Sequence, residues 1–357
     1  MIQPVLPTRR ERLKYYLGSI VGAGPGPHVL LPETHRRTAR DLRASAVWPS
    51  GISRLGGYDR SSYDVPLLAL LEECGLSQRS FLYAGNDRVG RDRGPVLVKN
   101  RRGTRQPVLL RCLNEQRHWP VDDPDDRIQF ERKLDSVFWR GATTGWEYRP
   151  TSRMALVKRW HGRRPDVDVG FSSLSQEYGL PGVRELWTPY VAGHADREEF
   201  LRHKYIISAE GNDKDSGLGW KLKSNSLVFM VQPVTESWLM EPFLVPYVHY
   251  VPLDPDYGNL YEQLEWCRAN PKACVAIVHN ASRFMDQFRY RDRERELERN
   301  VLQAYFSRVR APTRDELVCA EDRWPASISG PPSRASRKAV SQMIFWRTTP
   351  GLYGRRK

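Results

Sequence analysis

Residues 203–231 read HKYIISAEGNDKDSGLGWKLKSNSLVFMV and contain the pattern on which the fold prediction rests. Two short apolar runs, at 204–208 and 227–231, flank a loop rich in Gly, Asn, Asp and Ser. Short runs bounded by such loops and rich in β-branched and aromatic residues are typical of buried strands. The stretch therefore predicts a strand, a polar loop, a short helical connection and a second strand.

The same alternation of strands and helices continues outward along the chain. Strands are predicted at 80–85, 95–100, 107–113, 136–141, 167–172, 204–208, 227–231 and 249–253. Helices are predicted at 34–46, 64–76, 152–162, 260–270 and 273–288, and residues 289–300 are expected to continue the last helix as a charged, solvated stretch. Alternation in two blocks, before and after about residue 136, is typical of α/β proteins with parallel sheets.

The composition limits the class of protein. The chain has 357 residues, 40% of them hydrophobic, so a globular protein with a sizeable core is expected. The five cysteines form no CxxC pair and the eight histidines form no HxxxH or HExxH pattern, which disfavours a disulfide framework and a histidine metal site. No apolar stretch is long enough to span a membrane or act as a signal peptide, so a cytoplasmic location is expected.

The chain is strongly basic, with a net charge of +14 concentrated at 9–43, 79–105 and 308–357. Such charge is compatible with a solvated surface, or with attraction to a polyanion, an anionic membrane or a phosphorylated substrate. No zinc-finger, RRM or KH signature is present, so nucleic acid is not expected as a partner. A basic polyanion-binding or nucleic-acid-binding protein with a non-catalytic α/β core nevertheless remains the alternative interpretation.

The loop at 209–217 is compatible with three kinds of site or with a plain turn. An EF-hand needs Glu at its twelfth position, but the twelfth residue from Asp213 is Ser224, so calcium is disfavoured. A DxD metal motif has little specificity here, because the chain contains four DxD matches. Phosphate is the third possibility, since Gly211 and Gly217 let backbone N–H groups approach an anion closely.

A second glycine loop supports the phosphate interpretation. Residues 138–153 read FWRGATTGWEYRPTSR and combine Arg140, Arg149 and Arg153 with Thr143 and Thr144. Guanidinium groups match phosphate oxygens with paired donors, and hydroxyl groups add further donors. Both glycine loops follow predicted strands, and ligands of parallel sheets bind at the carboxyl ends of the strands.

In order and spacing, five segments resemble glycosyltransferase family 90. They are VFWRGATTG at 137–145, HKYIISAEGND at 203–213, SNSLVFM at 224–230, ESWLMEPFLVPYVHYVPL at 236–253 and LEWCRANPKACVAIVHNASRFM at 264–285. The resemblance covers about residues 80–290 and is closest to bacterial-type members. It implies a GT-B fold, in which two Rossmann-like domains face each other across a cleft. The corresponding division is 1–136 for the acceptor side, 137–288 for UDP-sugar binding and 289–357 for a charged helix and a loosely packed basic tail.

The resemblance also implies which residues act. The catalytic base of the family is an Asp at the end of an N-terminal strand, and Asp87 matches that context, with Asp92 as the other candidate. The family's eukaryotic branch has an Arg where this chain has Gly217, which leaves Arg140, Arg153 or Lys221 to meet the diphosphate. The expected donor-binding residues are Arg140, Gly141, Thr143, Thr144, Arg153, Gly211, Asn212, Asp213, Ser216, Gly217, Lys221, Ser226 and Glu236. Glu241 and Glu236 either hold sugar hydroxyls or flank a helix.

The expected function is therefore an inverting, metal-independent glycosyltransferase that needs no cofactor. It would move xylose or glucose from a UDP-sugar to a hydroxyl of a glycan, polysaccharide or lipid-linked acceptor, as lipopolysaccharide- and capsule-modifying members of the family do. A peripheral contact with the anionic inner face of the membrane is the expected use of the basic surface. A family member that binds the donor without transferring its sugar is a further possibility.

Overall fold

The computed structural model describes residues 6–22, 29–30, 36–37, 61–84, 95–103, 107–114 and 124–310. Its α-helices are α1 Arg9–Leu17, α2 Ser61–Glu73, α3 Arg153–Trp160, α4 Arg184–Trp187, α5 Arg197–Leu201, α6 Leu218–Lys223, α7 Leu260–Ala269, α8 Pro271–Asp286 and α9 Arg291–Arg308. Its strands are β1 Val29–Leu30, β2 Arg36–Arg37, β3 Phe81–Ala84, β4 Leu97–Val98, β5 Asn100–Arg102, β6 Val108–Leu109, β7 Leu134–Ala142, β8 Val167–Ser173, β9 His203–Ser208, β10 Leu227–Val231, β11 Thr235–Ser237, β12 Val251–Leu253 and β13 Val309–Arg310.

The larger sheet has five parallel strands in the order β12-β10-β9-β7-β8. The chain passes from β7 to β8 at one edge and then returns to β9 on the other side of β7. The loops that follow β7 and β9 therefore start from neighbouring strands whose connections run in opposite directions. This is the topological switch point of an open α/β sheet, where ligands bind outside the carboxyl ends of the strands.

Both faces of this sheet are buried, which explains why its strands read as continuous apolar runs. Along β10, Leu227 and Phe229 lie in one hydrophobic cluster, while Val228 and Met230 lie in the other. The first cluster also includes residues of α3, α7 and α8. The second cluster extends to residues of α1, α2 and α9.

A smaller sheet forms in the N-terminal half, with strand order β2-β3-β4-β6. The strands β3, β4 and β6 are parallel, and β2 is antiparallel to β3. Separately, β5 pairs antiparallel with β11, which follows β10 in the chain. Residues 100–102 are therefore bonded directly to the segment beyond the carboxyl end of β10.

The α/β class with parallel sheets is confirmed, and every strand and helix predicted after residue 130 forms within a few residues of its expected bounds. The Ser152 cap of α3 also forms, with its hydroxyl accepting a hydrogen bond from the Ala155 N–H. The helix expected at 34–46 is wrong at residues 36–37, which form β2, and its remaining residues lie outside the described part. The two facing domains of a GT-B fold stay a prediction.

The charged stretch at 289–300 does not continue α8 as a solvated face. The chain leaves α8 after Asp286 and begins a separate helix, α9, at Arg291. Helical spacing places Glu294, Leu297 and Val301 on one buried face, whereas the sequence-based interpretation considered only the alternating charges. The Glu294 carboxylate accepts two hydrogen bonds of 2.6 Å from the Arg12 guanidinium.

The Arg12–Glu294 ion pair joins the first and last described helices, and we expect its removal to destabilise the protein. Glu294→Gln takes the negative charge from a 1% exposed side chain and leaves the buried Arg12 without its carboxylate. Breaking a buried pair in this way typically costs about 3–5 kcal/mol. Urea unfolding midpoints measure the loss.

The matched control for this prediction is Glu296→Gln, on the solvent side of the same helix. Its pair with Arg9 is more than half exposed, with 53% and 57% of the two side chains accessible. Exposed pairs contribute about 1 kcal/mol or less. Equal losses of stability in the two variants would contradict a structural role of the buried pair.

Candidate functional site

The two glycine loops meet at the carboxyl ends of β7 and β9. Gly145 has a φ of +101°, and a Cβ there would lie 2.9 Å from the Gly211 carbonyl oxygen. A Cβ on Gly211 would lie 2.4 Å from the Thr144 hydroxyl oxygen. The Gly145 N–H also donates to the Asn212 side-chain oxygen at 2.9 Å. Both loops thus need glycine where their backbones touch.

The Arg153 side chain forms hydrogen bonds at the carboxyl ends of both β7 and β9. Its guanidinium donates to the carbonyl oxygens of Ala142 and Ala209 and to the Thr144 hydroxyl, at distances of 2.7–3.2 Å. Burial lowers the pKa of Arg153, and the negative charge of Asp215 opposes that effect. Arg153 therefore connects the two loops through hydrogen bonds to the carbonyl groups where they begin.

Asp213, in the loop after β9, is bound by the N-terminal half of the chain. Its carboxylate accepts a hydrogen bond of 2.6 Å from the Asn100 amide. It also forms an ion pair of 2.9 Å with Lys99, whose side chain is 1% exposed. The strand segment at β5 thereby fixes the position of the loop.

Asp215, two residues further along, has a lysine partner of its own. Lys221 lies 2.6 Å from the Asp215 carboxylate, and the Ser208 hydroxyl and the Gly217 N–H donate to the same group. Burial raises the pKa of Asp215, but the charges of Lys221 and Arg153 outweigh it and lower the pKa below its usual value. The predicted cation Lys221 is therefore already neutralised within the protein.

A cavity opens beside these groups, at the carboxyl ends of β9 and β10. It is lined by Thr151, Ser208, Glu210, Lys214, Asp215, Leu218, Met230, Val231, Gln232, Pro233, Val234, Glu241 and Tyr257. Its empty space is about 430 Å³, including the part open to solvent. The cavity lies next to the β7–β9 switch point, at the carboxyl ends of two neighbouring strands, which is the edge of a parallel sheet where ligands bind.

Lys214 is the basic side chain on the cavity wall. It is buried, with 4% exposed, and its ammonium lies 5.0 Å from the centre of the Trp238 ring. Within the described part of the chain, no carboxylate lies at salt-bridge distance from it. Burial lowers the pKa of Lys214. A buried cation without a bound carboxylate is a good receptor for an anionic ligand.

None of the thirteen predicted donor-binding residues is among those that line this cavity. Arg140 makes a two-pronged ion pair with Asp168 on the neighbouring strand, at 2.7 and 2.9 Å. Glu236 pairs with the fully buried Arg101 at 2.8 Å. Ser226 donates to a backbone carbonyl of β9.

The remaining predicted residues have mainly structural contacts. Thr143 is buried and exchanges hydrogen bonds with the backbone of Ser175. Gly141 packs against the Trp139 ring, which a Cβ would approach to 2.7 Å. Ser216 is exposed in the loop after β9. The candidate bases Asp87 and Asp92 lie outside the described residues.

Sequence reasoning selected the loop at 209–217, part of which lines the cavity, but did not single out Lys214. It selected the glycines and acids of the loop and three cations elsewhere, all of which have partners inside the protein. The available signal was a lysine directly between two aspartates, in a loop between two buried strands. From sequence alone, such a lysine is expected to pair with a neighbouring aspartate in solvent. In the structure, however, both aspartates pair with other lysines.

The described residues form neither a cluster suited to a metal ion nor a helix suited to span a membrane. No group of three or more His, Cys, Asp or Glu side chains in these ranges is arranged to hold a metal ion. None of the helices in the same ranges has both the length and the apolar content needed to cross a bilayer.

The fold and the cavity together define a class: an α/β protein with a cavity, lined in part by a buried lysine, at the carboxyl ends of two strands of a parallel sheet. Residues 111–322, more than half of the chain, match glycosyl transferase family 90. The chain belongs to this family, as its glycine-loop segments predict.

Three relatives place the chain within the family. O-glucosyltransferase LpsA of Dichelobacter nodosus is 33% identical over 250 residues, which are 69% of this chain and 73% of that protein. Protein O-glucosyltransferase 2 of Danio rerio is 25% identical over 155 residues, 43% of this chain and 29% of that protein. Protein O-glucosyltransferase 1 of Homo sapiens is 24% identical over 162 residues, 44% of this chain and 38% of that protein.

We expect Gly211→Ala to destabilise the protein, because the new methyl group would overlap the Thr144 hydroxyl and press on Arg153. Overpacking of this kind costs about 1–3 kcal/mol. Thermal unfolding measures it. The control is Gly179→Ala, where the nearest atom would be 3.6 Å away and little change is expected. A Gly211→Ala protein as stable as the Gly179→Ala protein would contradict the tight contact between the loops.

Proposed function

We propose that this chain transfers xylose or glucose from a UDP-sugar to a hydroxyl group of a glycan, polysaccharide or lipid-linked acceptor. Family membership makes it a glycosyltransferase. The names of its relatives, O-glucosyltransferase LpsA and the protein O-glucosyltransferases, favour glucose among the two sugars. The observation that carries the proposal is the buried Lys214 on the wall of the cavity at the carboxyl ends of β9 and β10.

The charge distribution supports Lys214 as the diphosphate receptor. Three other cations close to the glycine loops already have partners inside the protein. Lys99 forms an ion pair with Asp213, Lys221 forms one with Asp215, and Arg153 donates hydrogen bonds to carbonyl oxygens. Binding a diphosphate to any of these would require breaking a buried contact. Lys214 can bind phosphate without that cost, and the anion would replace the hydration that burial has removed.

The same pairing supports transfer without a metal ion. The two aspartates of the loop, Asp213 and Asp215, each have a lysine partner within 3 Å, so their charges are already balanced. A departing diphosphate still needs positive charge in the transition state. We infer that Lys214 supplies it in place of a divalent ion, and metal independence is part of this proposal.

The chemistry we propose is a single displacement with inversion. A carboxylate takes the proton of the acceptor hydroxyl while that oxygen attacks the anomeric carbon. The bond from the anomeric carbon to the diphosphate oxygen breaks, and UDP leaves with the electron pair. Asp87 is the proposed base, because it follows Ala84 at the carboxyl end of β3, in the half of the chain that precedes the donor loops.

The alternative function, polyanion binding by a non-catalytic core, gains no specific support from the described residues. Several basic side chains around the site, including Lys99, Arg101 and Arg102, are bound to carboxylates and partly or fully buried. They are therefore unsuited to contact an extended phosphate backbone. A cytoplasmic location and contact with the inner membrane face remain predictions.

Lys214→Met should weaken UDP binding while uridine binding changes little. The substitution keeps the length and apolar stem of the side chain and removes the charge. Loss of a hydrogen bond to a charged group costs about 1.5–3 kcal/mol, or roughly a ten- to one-hundred-fold rise in Kd. Calorimetric titration of the parent and the variant with UDP and with uridine measures the difference.

UDP affinity of the parent should also fall as the pH rises through the pKa of Lys214, since the neutral amine binds phosphate weakly.

The control for this experiment is Lys272→Met, which removes an equal charge from an exposed position at the start of α8. It should leave the affinity for UDP unchanged. The proposal is contradicted if Lys214→Met binds UDP as the parent does, or if both lysine variants weaken UDP binding equally.

Asp87→Asn should reduce transfer strongly and leave UDP affinity nearly unchanged, because it removes only the basic oxygen. General-base catalysis typically contributes 10²–10⁴-fold. Transfer rates of Asp87→Asn and Asp92→Asn, compared with that of the parent, identify the base. The transfer rate of the parent with and without EDTA tests metal independence. If Asp92→Asn alone is inactive, Asp92 is the base. If EDTA abolishes transfer and manganese restores it, the metal-free mechanism is wrong.

A further inference from the structure

The glycine loop that follows β7 presents two exposed aromatic side chains that the mechanism above does not use. Trp146 is 37% exposed and Tyr148 is 75% exposed. Their rings lie side by side, with centroids 6.1 Å apart and planes tilted by 42°. Single exposed apolar residues are common on protein surfaces, but two aromatic rings in contact form a continuous apolar surface.

The backbone around this aromatic pair is held by several contacts. The Arg149 N–H donates to the Trp146 carbonyl oxygen at 3.0 Å, which closes a β-turn. The Glu147 carboxylate forms an ion pair of 2.5 Å with Lys158 of α3. The Glu147 carbonyl oxygen also accepts a hydrogen bond of 3.4 Å from the hydroxyl of Ser152, the cap of α3. The turn therefore presents the two rings on an ordered backbone, which lowers the entropy cost of binding a ligand.

Arg149, at the end of the turn, adds a positive charge without an internal partner. Its side chain is half-buried, and no group of the described residues forms an ion pair or a hydrogen bond with its guanidinium. Burial lowers the pKa of Arg102, Glu210 opposes that effect, and the like charge of Arg149 adds to it, so the two guanidinium groups lie near each other. Arg102 is bound to Glu210 at 2.8 Å, whereas Arg149 keeps its donors for a ligand.

The turn lies beside the cavity rather than in its wall. Neither aromatic ring nor Arg149 lines the cavity, but Thr151, two residues beyond Arg149, does. Because a chain extends by at most about 3.6 Å per residue, the Tyr148 Cα lies within about 11 Å of the Thr151 Cα. Glu210, the partner of Arg102, lines the cavity as well. A molecule that reacts at the cavity can therefore reach the turn with its neighbouring groups.

We propose that Trp146, Tyr148 and Arg149 form a subsite for an acidic sugar of the acceptor, next to the sugar that receives the transferred group. This inference rests on the proposed function. A pyranose ring has an apolar face of C–H groups that stacks on aromatic rings, and Trp and Tyr supply rigid contact area of this kind. A carboxylate or phosphate on that sugar accepts paired hydrogen bonds from the Arg149 guanidinium.

The test uses two matched oligosaccharides as acceptor probes. The first is the core oligosaccharide released from bacterial lipopolysaccharide by mild acid, which combines pyranose rings with phosphate and carboxylate groups. The second is the same oligosaccharide after removal of its phosphates and reduction of its carboxyl groups, so that it carries no charge. Calorimetric titration of the parent and the variants with each probe, with UDP and with UDP-glucose gives the affinities.

Tyr148→Ala should raise the Kd of the charged probe about five- to thirty-fold, as for truncation of an aromatic contact residue. Tyr148→Phe keeps the ring and should bind this probe as the parent does. Arg149→Met should raise the Kd of the charged probe about ten- to one-hundred-fold and leave that of the uncharged probe unchanged. The Kd of UDP-glucose should change by less than about twofold in all three variants, which also shows that they are folded.

Tyr290→Ala and Arg291→Met are the matched controls. They remove an exposed aromatic ring and an exposed arginine where the chain enters α9, and neither residue lines the cavity. Both controls should bind each probe as the parent does. If they weaken binding of the charged probe as much as the turn variants do, binding depends on the general surface charge and the subsite is wrong.

The remaining outcomes separate this inference from the proposed function. If the parent binds neither UDP nor UDP-glucose, the proposed function fails and the inference fails with it. If the parent binds UDP-glucose but not the charged oligosaccharide at millimolar concentration, or if the turn variants bind that oligosaccharide as the parent does, only the inference is overturned. If the turn variants lose affinity for UDP-glucose to the same extent, the turn belongs to the donor site and its role toward the acceptor is wrong.

Discussion

The contact between Gly145 and Gly211 is the constraint on which the site depends. The two backbones approach so closely that a Cβ on either residue would overlap the other loop. This approach is possible because β7 and β9 are neighbours in the sheet while their connections leave in opposite directions. Arg153 then binds carbonyl groups at the ends of both strands and holds the loops in register. The cavity forms beside this junction, where the strands β9 and β10 end.

Charge pairing then determines which groups remain for a ligand. Burying a charge without a partner is expensive, and most of the buried charges around the loops are paired within the protein. Lys99, Lys221 and Arg153 bind groups of the loops, and none of the three is among the residues that line the cavity. Lys214 is the exception on the cavity wall, since no carboxylate lies at salt-bridge distance from it among the described residues. A site can thus be recognised by the charges that a protein leaves without internal partners, as much as by its glycine motifs.

Much of the fold could be predicted from the sequence, because the strands of the larger sheet are buried on both faces and read as short apolar runs. The bounds of β10 agree with the run at 227–231. Helix α1 was missed, although Thr8 and Glu11 form the capping box that the spacing T-x-x-E indicates. The buried face of α9 was also missed. Its glutamates can be buried because they pair with residues far away in sequence, such as Arg12, and the local sequence does not show these partners.

The partners of the charged residues around the cavity could be predicted less well than the fold, for a physical reason. Residue type and position after a strand located the loop at 209–217, but pairing across the fold decides the role of each charge. The ion pair between Lys99 and Asp213 spans 114 positions, and no local pattern indicates it. Arg140 fits a phosphate site by sequence, yet its side chain reaches diagonally from β7 to Asp168 of β8, two residues before its register partner Gly170. Such partners become visible only in three dimensions.

The central claim is that the cavity at the ends of β9 and β10 holds the donor diphosphate on Lys214. A crystal structure of the protein with bound UDP-glucose tests it most directly. The account predicts a phosphate oxygen within about 3.2 Å of the Lys214 ammonium, with Arg153 still bound to its carbonyl groups. A diphosphate bound beside Arg140, or anywhere that leaves Lys214 without a phosphate contact, would contradict it.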